Sequence, residues 1–388
     1  MKKVRIGIIG IGNIGSAHAS NIYGGKAEGL VLCALCDNSK ERANELRTQY
    51  PDIPIYENAD ELIESADVDA VIISTPHYAH PELAIKAFRR GLHVLSEKPI
   101  AVYCKAAEEM IEAAKESGKV FAVMFNQRTN KLFGEAKRII SAGRLGELRR
   151  SVWIVTNWYR KQGYYDSGDW RATWSGEGGG VLMNQAPHNL DLWQWLCGMP
   201  TKIYAECDVA KYHDIEVEDD ATIFARYKNG ATGVFITSTG DYPGTNRLEI
   251  TGSRGKLIIE QGKLTLTELP VDESEYRLYP EGKKITPTVT EISDEPYSGH
   301  IEVLKNFARA ILFGEELVAS GEEGLNELMI CNAAYMSAWT NKSVSLPLDN
   351  DEYLNMLNKK RASSEKKEAV KDQKRTDAQY CERWNTNW

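Results

Sequence analysis

The chain has no apolar run long enough to cross a membrane, because none approaches the roughly 18 residues that a spanning helix needs. It begins Met1-Lys2-Lys3 and passes straight into a predicted strand, without the apolar core of a secretion signal. We therefore expect a cytoplasmic protein with no membrane partner. The formal net charge of −8 at pH 7 also argues against nucleic acid as a partner.

Cysteine is scarce as well: the 388 residues contain seven, an odd number. An odd and scattered set without an export signal is typical of reduced thiols. Cys33 and Cys36 form a C-x-x-C pair, but they lie within one predicted strand, where positions three apart point to opposite faces. We expect no redox or metal site there, and no metal at His77 and His80, since nothing nearby completes a ligand set.

The length accommodates two domains, here assigned to residues 1–125 and 126–350, followed by a charged tail at residues 351–388. Between Lys359 and Arg375, eight Lys or Arg residues outnumber three Asp or Glu. Alternating charges of this kind predict a solvated helix or a disordered segment, and an electrostatic arm is the alternative. Trp384 and Trp388 could instead dock on a neighbouring subunit.

Strands and helices alternate over residues 1–125, which predicts a doubly wound, mainly parallel Rossmann sheet and an α/β fold. The predicted strands are 4–9, 30–36, one around Ile55, 70–74, 92–96 and 120–125. Ligands of such sheets bind at the carboxyl ends of the strands. Chemically useful residues follow these ends at Gly10 to Gly15, Asp37, Thr75, Lys98 and Asn126.

A glycine-rich segment joins the first strand to the first helix, and it has the pattern G-x-G-x-x-G at Gly10, Gly12 and Gly15. Gly10 permits a tight turn, Gly12 lets the backbone approach a pyrophosphate, and Gly15 lets the helix pack closely on its strand. Asn13 and Ile14 begin the helix, whose free N–H groups favour phosphates. The segment therefore predicts a dinucleotide site.

Asp37 ends the second predicted strand, close to the spacing at which a carboxylate binds an adenosine ribose diol. The same carboxylate would repel a 2′-phosphate, so we expect NAD(H) as the cofactor, with NADP(H) less favoured. Asn38, Ser39 and Lys40 could soften that repulsion.

The pattern changes after residue 125 to closely spaced strands with turn signals between them. We predict strands at 149–156, 201–209, 221–227, 232–238, 247–251 and 256–260, and antiparallel pairing. The second domain is therefore expected to be α+β, with a large, mainly antiparallel open sheet and its helices on one face. A bare sheet face favours a homodimer or homotetramer.

Four motifs in order resemble the glucose-fructose oxidoreductase and inositol dehydrogenase family. They are Gly10 to Gly15, Thr75-Pro76 followed by His80, the run Gly91 to Pro99 that contains Glu97-Lys98-Pro99, and Gly178-Gly179-Gly180 ahead of His188. The resemblance covers roughly residues 3 to 350. It implies a two-domain, nicotinamide-dependent oxidoreductase acting on sugars and cyclitols.

The resemblance also implies that Lys98 lies between nicotinamide and substrate. A lysine at a strand's carboxyl end could donate to a substrate hydroxyl, and its pKa could be altered there. We expect the cofactor to be bordered by Ser74, Thr75, Pro76, His77, His80, Glu97, Lys98 and Asn126.

Oxidation of an alcohol also needs a base, and histidine suits this role because its unperturbed pKa is about 6.5. His188 stands near the start of a predicted helix, which favours it as the base. The family often carries an aspartate four residues earlier, where this chain has Asn184. Asparagine can orient an imidazole but cannot stabilise its cation, and Asp191 could substitute only if the helix brings it to the ring.

Further substrate contacts are predicted at Arg128, Tyr164, Tyr165, Trp170 and Arg171, in addition to Lys98, Asn184 and His188. Flat aromatic faces beside hydrogen-bond donors are typical of sugar binding. Aromatic residues at this density could equally form core or a subunit interface.

The sequence thus predicts an NAD-dependent dehydrogenase of a sugar, glycoside or cyclitol, with Lys98 polarising the hydroxyl and His188 exchanging its proton. One alternative is a redox-neutral enzyme that oxidises a glycoside, eliminates the aglycone and reduces the product again. Another is a non-catalytic NAD-binding sensor or partner subunit.

Overall fold

The computed structural model describes residues 2–365 of the chain. Its first part contains the strands β1 (Val4–Ile9), β2 (Leu30–Cys36), β3 (Ile55–Tyr56), β4 (Ala70–Ile73), β5 (His93–Ser96) and β6 (Phe121–Val123). Between them lie the helices α1 (Asn13–Tyr23), α2 (Lys40–Gln49), α3 (Ala59–Glu64), α4 (Ala79–Arg89) and α5 (Cys104–Ser117). All strand pairs are parallel in the order β3-β2-β1-β4-β5-β6, which confirms the predicted doubly wound sheet.

The register of this sheet brings the strand ends into line. Ile9 pairs with both Cys36 and Ile73, and Ser96 pairs with both Ile73 and Val123. The residues that follow these positions therefore emerge side by side along one edge. The chain reverses its winding between β1 and β4, where a crevice forms in sheets of this type.

The second part contains β7 (Leu148–Val155), β8 (Lys202–Val209), β9 (Glu218–Arg226), β10 (Thr232–Ser238), β11 (Asn246–Gly252), β12 (Gly255–Glu260), β13 (Lys263–Glu268), β14 (Thr288–Ser293) and β15 (Val344–Ser345). Their order is β14-β13-β12-β11-β7-β10-β9-β8-β15. Only the β7–β10 pair is parallel among these strands, so the prediction of a large, mainly antiparallel sheet is confirmed. The sequence did not predict β13, β14 and β15.

The remaining helices are α6 (Lys131–Ser141), α7 (Gln162–Tyr165), α8 (Val181–Asn184), α9 (Pro187–Cys197), α10 (Glu273–Tyr276), α11 (Gly299–Phe313), α12 (Gly321–Thr340) and α13 (Asn350–Ala362), with a 3-10 helix at Asn126–Thr129. Trp153 and Phe235 are fully buried on the helix-covered face of the large sheet. On the other face Val152 and Val234 are half-buried and Phe224 is exposed.

Two late helices cross the predicted domain boundaries. Val303, Leu304 and Phe307 of α11 share a hydrophobic core with β1 and β2, so α11 completes the first domain although it follows the second sheet. The segment assigned to the charged tail begins with α13, in which Tyr353 is 1% exposed and accepts a 3.1 Å hydrogen bond from Asn332. The rest of the basic segment, with Trp384 and Trp388, lies outside the described residues.

Within residues 2–365, no helix is long and apolar enough to cross a membrane. The same part of the chain has no group of three His, Cys, Asp or Glu side chains arranged to hold a metal ion. Its six cysteines, Cys33 and Cys36 among them, are free thiols.

Candidate active site

The loop between β1 and α1 has the geometry of a phosphate cradle. Gly10 has φ +88°, and a Cβ there would lie 2.8 Å from the backbone of Ser74. Gly12 caps α1 without a side-chain hydrogen bond, and a Cβ added to it would meet no atom within 4 Å. A Cβ on Gly15 would lie 2.0 Å from the Gly10 carbonyl oxygen, so the helix start must pack on the loop. The first turn of α1, with half-buried Asn13 and Ile14, therefore opens onto free space, which fits a pyrophosphate.

Asp37 lies beside this cradle. Its Oδ2 accepts a hydrogen bond from the Ile11 N–H (2.9 Å), and its Oδ1 accepts one from the Ser39 N–H (2.9 Å). A carboxylate held in this way, half-buried at the end of β2, fits an adenosine ribose diol. The guanidinium of Arg42 also contacts the cradle through the Ile11 carbonyl (3.0 Å) and the Ser16 hydroxyl (2.7 Å), a neighbour that sequence inspection missed.

The end of β4 completes the cradle. The Ser74 hydroxyl donates to the Gly10 carbonyl at 2.8 Å, so the loops after β1 and β4 are bound together. Thr75 follows, half-buried, and its Oγ1 has no hydrogen-bond partner among the described residues; Pro76 is exposed. These positions agree with the prediction that the Ser74 to Pro76 turn borders the cofactor, which remains a proposal.

The two histidines after this turn are buried. Nδ1 of His80 lies 2.9 Å from the Pro99 carbonyl and Nε2 lies 2.9 Å from the Thr75 carbonyl, with no exposed surface left. His80 therefore ties the β4 turn to the β5 turn, and this engagement corrects its assignment to the cofactor surface. His77 is 5% exposed and contacts the Glu177 carbonyl through Nδ1 at 2.9 Å, which joins the first domain to the second.

Glu97 is a buried carboxylate behind the Lys98 position. Its Oε1 contacts Nε2 of His18 at 2.8 Å, and its Oε2 accepts the Lys98 N–H at 3.2 Å. Burial opposes its ionisation, but the His18 hydrogen bond and the neighbouring positive charges hold the pKa of Glu97 at about 2. By accepting the Lys98 N–H, the carboxylate of Glu97 holds the main chain at Lys98 and so positions the lysine.

Lys98 directs its amine across the domain boundary. The Nζ atom donates to the main-chain carbonyl of Asn184 at 2.9 Å, and the side chain is half-buried. Burial lowers the pKa of Lys98, while the carboxylates of Glu97 and Glu177 oppose this effect. The Lys98–Pro99 peptide bond is cis.

Asn184 contacts side chains other than His188. Its Nδ2 donates to the Tyr164 hydroxyl at 3.0 Å and to Oε1 of Glu177. The possibility that asparagine orients the imidazole therefore finds no support in this geometry. Glu177 precedes the three glycines and was not singled out from the sequence.

The three glycines let this segment approach the core closely. Gly179 has φ +158°, and a Cβ there would lie 2.1 Å from the Tyr335 hydroxyl. A Cβ on Gly180 would lie 1.8 Å from the Glu218 carbonyl oxygen. Glu218 also accepts the N–H groups of Gly180 (3.0 Å) and Leu182 (2.9 Å), which holds α8 in place beneath the site.

His188 lies in the first turn of α9 with 5% of its surface exposed. Its ring packs edge-on against Phe125 at 6.1 Å, and its Nδ1 has no hydrogen-bond partner among the described residues. Burial lowers the pKa of His188 well below 6.5, and the nearby Lys98 adds to the effect. The imidazole is thus neutral at neutral pH and able to accept a proton.

Arg128 is not available to a substrate. Its guanidinium binds both oxygens of Asp191, at 2.8 Å from Nε and 2.7 Å from Nη2, and also Glu323 at 2.7 Å. The Arg128 side chain is 1% exposed. This network corrects the prediction of a substrate contact at Arg128, and it also engages Asp191, which therefore does not replace an aspartate behind His188.

The predicted aromatic contacts separate into two groups. Tyr165 is 2% exposed, and its hydroxyl pairs with the Thr239 hydroxyl at 2.7 Å, so it belongs to the core and its assignment to substrate is corrected. Tyr164, Trp170 and Arg171 are half-buried. The Arg171 guanidinium lies 4.7 Å from the Tyr164 ring centre and 4.4 Å from that of Trp170, an aromatic and cationic surface beside Asn184.

Asn126 follows the last strand of the first sheet and is 5% exposed. Its Oδ1 has no hydrogen-bond partner among the described residues.

Glu327 of α12 is fully buried, and neither carboxyl oxygen has a partner within the same part of the chain. An acidic residue within the long apolar helix pattern was the signal that could have marked Glu327 in advance.

Comparison with known proteins places two segments of the chain in the same family. Residues 4–125 match the profile of an oxidoreductase family with an NAD-binding Rossmann fold, and residues 133–258 match the GFO/IDH/MocA C-terminal domain. The myo-inositol 2-dehydrogenase of Thermotoga maritima is 26% identical over 351 residues, which cover 88% of this chain and 98% of that protein. The NAD-dependent scyllo-inositol 2-dehydrogenase of Bacillus subtilis is 28% identical over 66% of this chain and 74% of its own length.

A solved structure shows the same architecture with ligands. The WlbA dehydrogenase from Bordetella pertussis, in complex with NADH and UDP-GlcNAcA, has a TM-score of 0.75 and 26% sequence identity, over 90% of this chain and all of that one (100%).

Proposed function

Because this chain belongs to the GFO/IDH/MocA family of oxidoreductases, with an NAD-binding Rossmann domain, we propose that it oxidises a secondary alcohol of a sugar or cyclitol. The observation that carries the proposal is the hydrogen bond between Lys98 Nζ and the Asn184 carbonyl (2.9 Å). It brings the amine at the edge of the cofactor domain to the segment that carries His188. The inositol dehydrogenases of Thermotoga maritima and Bacillus subtilis support a polyol substrate.

Oxidation of the alcohol separates a hydride from carbon and a proton from oxygen. The bound nicotinamide supplies the hydride acceptor. The Lys98 ammonium donates a hydrogen bond to the substrate oxygen and stabilises its developing negative charge. His188, neutral because burial lowers its pKa, accepts the proton. In the reverse direction the same ring returns that proton to the oxygen of the ketone.

The proposal also includes a preference for NAD over NADP. Asp37 is already bound by the N–H groups of Ile11 and Ser39 (both 2.9 Å), which keeps its carboxylate beside the cradle. A 2′-phosphate would meet this negative charge. Arg42 is committed to the Ile11 carbonyl and the Ser16 hydroxyl, so the carboxylate determines the preference.

The experiment is a panel of inositols and pyranoses with purified protein and NAD, followed by NADH absorbance. We expect NADH formation with at least one polyol, and His188→Ala should lower turnover by about two to four decades. Unchanged NADH binding by the variant, measured by fluorescence, controls for folding. Release of an aglycone without net NADH would favour redox-neutral glycoside cleavage, and hydride transfer to no member of the panel would overturn the proposal.

We further propose that two or four copies associate through the bare face of the nine-stranded sheet. Val152, Phe224 and Val234 lie side by side there, since Val234 pairs with both of the others across the strands. Burial of such an apolar patch favours association. Val234→Asp should convert the assembly to a monomer in light scattering, while wild-type protein that is already monomeric would contradict the interface.

A further inference from the structure

Glu177 is a buried carboxylate that the mechanism above leaves without a role. It is 1% exposed, and its Oε2 accepts the Ala172 N–H at 2.6 Å. Its Oε1 accepts from the Asn184 carboxamide and lies 3.7 Å from the Arg171 guanidinium. Burial raises the pKa of Glu177, and the surrounding donors and cations oppose this effect. Among the described residues, the Ala172 N–H and the Asn184 carboxamide donate to the carboxylate and the Arg171 guanidinium lies beside it, and all three favour its ionised form.

Asn184 connects Glu177 to Lys98 through a single residue. Its side-chain Nδ2 binds Glu177, and its main-chain carbonyl accepts the hydrogen bond from Lys98 Nζ at 2.9 Å. The orientation of that carbonyl therefore depends on how the Asn184 side chain is held. The negative charge of Glu177 also acts directly on the Lys98 ammonium.

Within residues 2–365, no carboxylate is bound to Nδ1 of His188. Its Nδ1 has no partner in the described part of the chain, and Asp191 is bound to Arg128. Glu97 is bound to His18. Among these acidic groups, Glu177 is the one that contacts the Asn184 side chain, on the Lys98 side of the site.

We propose that Glu177 is a positioning residue: through Asn184 it fixes the carbonyl that holds Lys98, and its charge balances Lys98 and Arg171. This inference rests on the function proposed above. In this arrangement the carboxylate of Glu177 supports Lys98, while His188 acts as a neutral base. The carboxylate at residue 177 and the amide at residue 184 then form one functional pair.

The first test exchanges the members of this pair. Glu177→Gln removes the carboxylate, and Asn184→Asp places a second one against it, where two carboxylates in contact cannot both ionise. We expect each change to lower kcat by about 10-fold or more with little effect on KM, and the double variant to recover most of the loss. A double variant no better than Glu177→Gln, or an Asn184→Asp variant as active as wild type, would overturn the proposal.

Glu216→Gln is the matched control. Glu216 accepts a main-chain N–H from the same loop, at Trp174 (2.6 Å), but it contacts neither Asn184 nor Lys98 among the described residues. The kcat of the Glu216→Gln variant should equal that of wild type. Glu177→Asp, which keeps the charge on a shorter side chain, should retain more activity than Glu177→Gln.

The second test does not depend on turnover. The titration of Lys98 is followed by NMR after reductive ¹³C-methylation, with Lys98→Arg to assign the signal. Glu177→Gln removes a negative charge that acts on the Lys98 ammonium, so it should lower the pKa of Lys98 by about one unit. The other charged or titratable groups that face Lys98 stay the same in both proteins; they are Glu97, Glu327, Arg171, His77, His80, His188 and His300.

The two proposals fail in different ways. If no polyol is oxidised but the Lys98 titration moves as expected, the proposed substrate class is wrong and the role of Glu177 stands. If polyols are oxidised and the titration of Lys98 is the same in wild type and Glu177→Gln, the role of Glu177 is wrong. Equal NADH binding and equal thermal unfolding of the two proteins confirm that both are folded.

Discussion

The carboxylate of Asp191 binds the guanidinium of Arg128 through two hydrogen bonds, 2.8 Å from Nε and 2.7 Å from Nη2, and both side chains are 1% exposed. The pair joins α9 to the 3-10 helix that follows the first sheet. Without Asp191 the buried guanidinium of Arg128 keeps only Glu323 as a counter-charge, 2.7 Å from Nη1 on a side chain that is 39% exposed, so most of the compensation of the buried charge is lost.

Asp191→Asn should therefore lower the free energy of unfolding by about 3–5 kcal/mol. Urea denaturation followed by tryptophan fluorescence measures the change. The control is Glu291→Gln, which removes an ion pair with Lys263 whose side chains are 48% and 57% exposed. That change should stay below about 1 kcal/mol, because water already solvates both groups. Equal losses in the two variants would contradict the structural role of Asp191.

The amine of Lys98 should impose the alkaline limb of the pH profile. Burial lowers its pKa below 10.5, so as the pH rises the amine loses its proton before pH 10.5, and with it the proposed hydrogen bond from the ammonium to the substrate oxygen. We expect kcat/KM to fall on the alkaline side before pH 10.5. Lys98→Arg keeps its charge throughout this range and should abolish the limb, while its different geometry lowers kcat by about 100-fold. An unchanged limb in Lys98→Arg would assign it to another group.

Asp37 should determine the choice of cofactor. Asp37→Ser removes the carboxylate that we propose binds the adenosine ribose, so it should weaken NAD binding by about 10-fold and relieve the repulsion of a 2′-phosphate. The ratio of kcat/KM with NADP to that with NAD should rise by about 100-fold. Asp208→Ser, at the exposed end of β8, removes one negative charge far from the cradle and should leave the ratio unchanged. A ratio that is constant in all three proteins would exclude Asp37 as the determinant.

Glu327 should make stability fall as pH rises. Burial, with a smaller contribution from Asp191, raises its pKa well above 4.5, so the folded protein retains a proton that the unfolded chain loses near pH 4.5. Between these two values the free energy of unfolding decreases by up to about 1.4 kcal/mol per pH unit. Glu327→Gln mimics the protonated acid, so it should match wild type near pH 4 and exceed its stability at pH 8.

Glu218→Gln should lower the stability of the protein, whereas Glu327→Gln should raise it at pH 8. The Glu218 carboxylate accepts from the Gly180 and Leu182 N–H groups and from the Tyr335 hydroxyl at 2.7 Å, and burial raises its pKa to about 7. A carboxamide can keep its oxygen at the Oε1 position, but its NH2 group then faces the Gly180 N–H that Oε2 accepts at 3.0 Å, so this change should destabilise the protein by about 1–3 kcal/mol. If both glutamine variants lose stability at pH 8, Glu327 has a partner that offsets its burial.

Short sequence patterns predicted those elements of the fold that are determined by residues close together in the chain. The strand, turn and helix around Gly10 to Gly15 are encoded within about twenty residues, and so is the strand that leads to Asp37. Apolar runs also marked most strands of the second sheet. Strand β14 carries no such run, because nearly all of its residues are exposed at the sheet edge, and it escaped prediction.

The sequence by itself determined the fold class, the dinucleotide cradle and the family, because each follows from a short pattern with its own physical meaning. Only the tertiary structure decided which polar residues reach the cleft. Arg128 pairs with a residue 63 positions away, His77 contacts one 100 positions away, and Lys98 binds a carbonyl 86 positions away. Partners at such separations leave no periodic trace, so the loss of Arg128, Tyr165 and His80 from the site, and the entry of Glu177, depended on how the two sheets pack together.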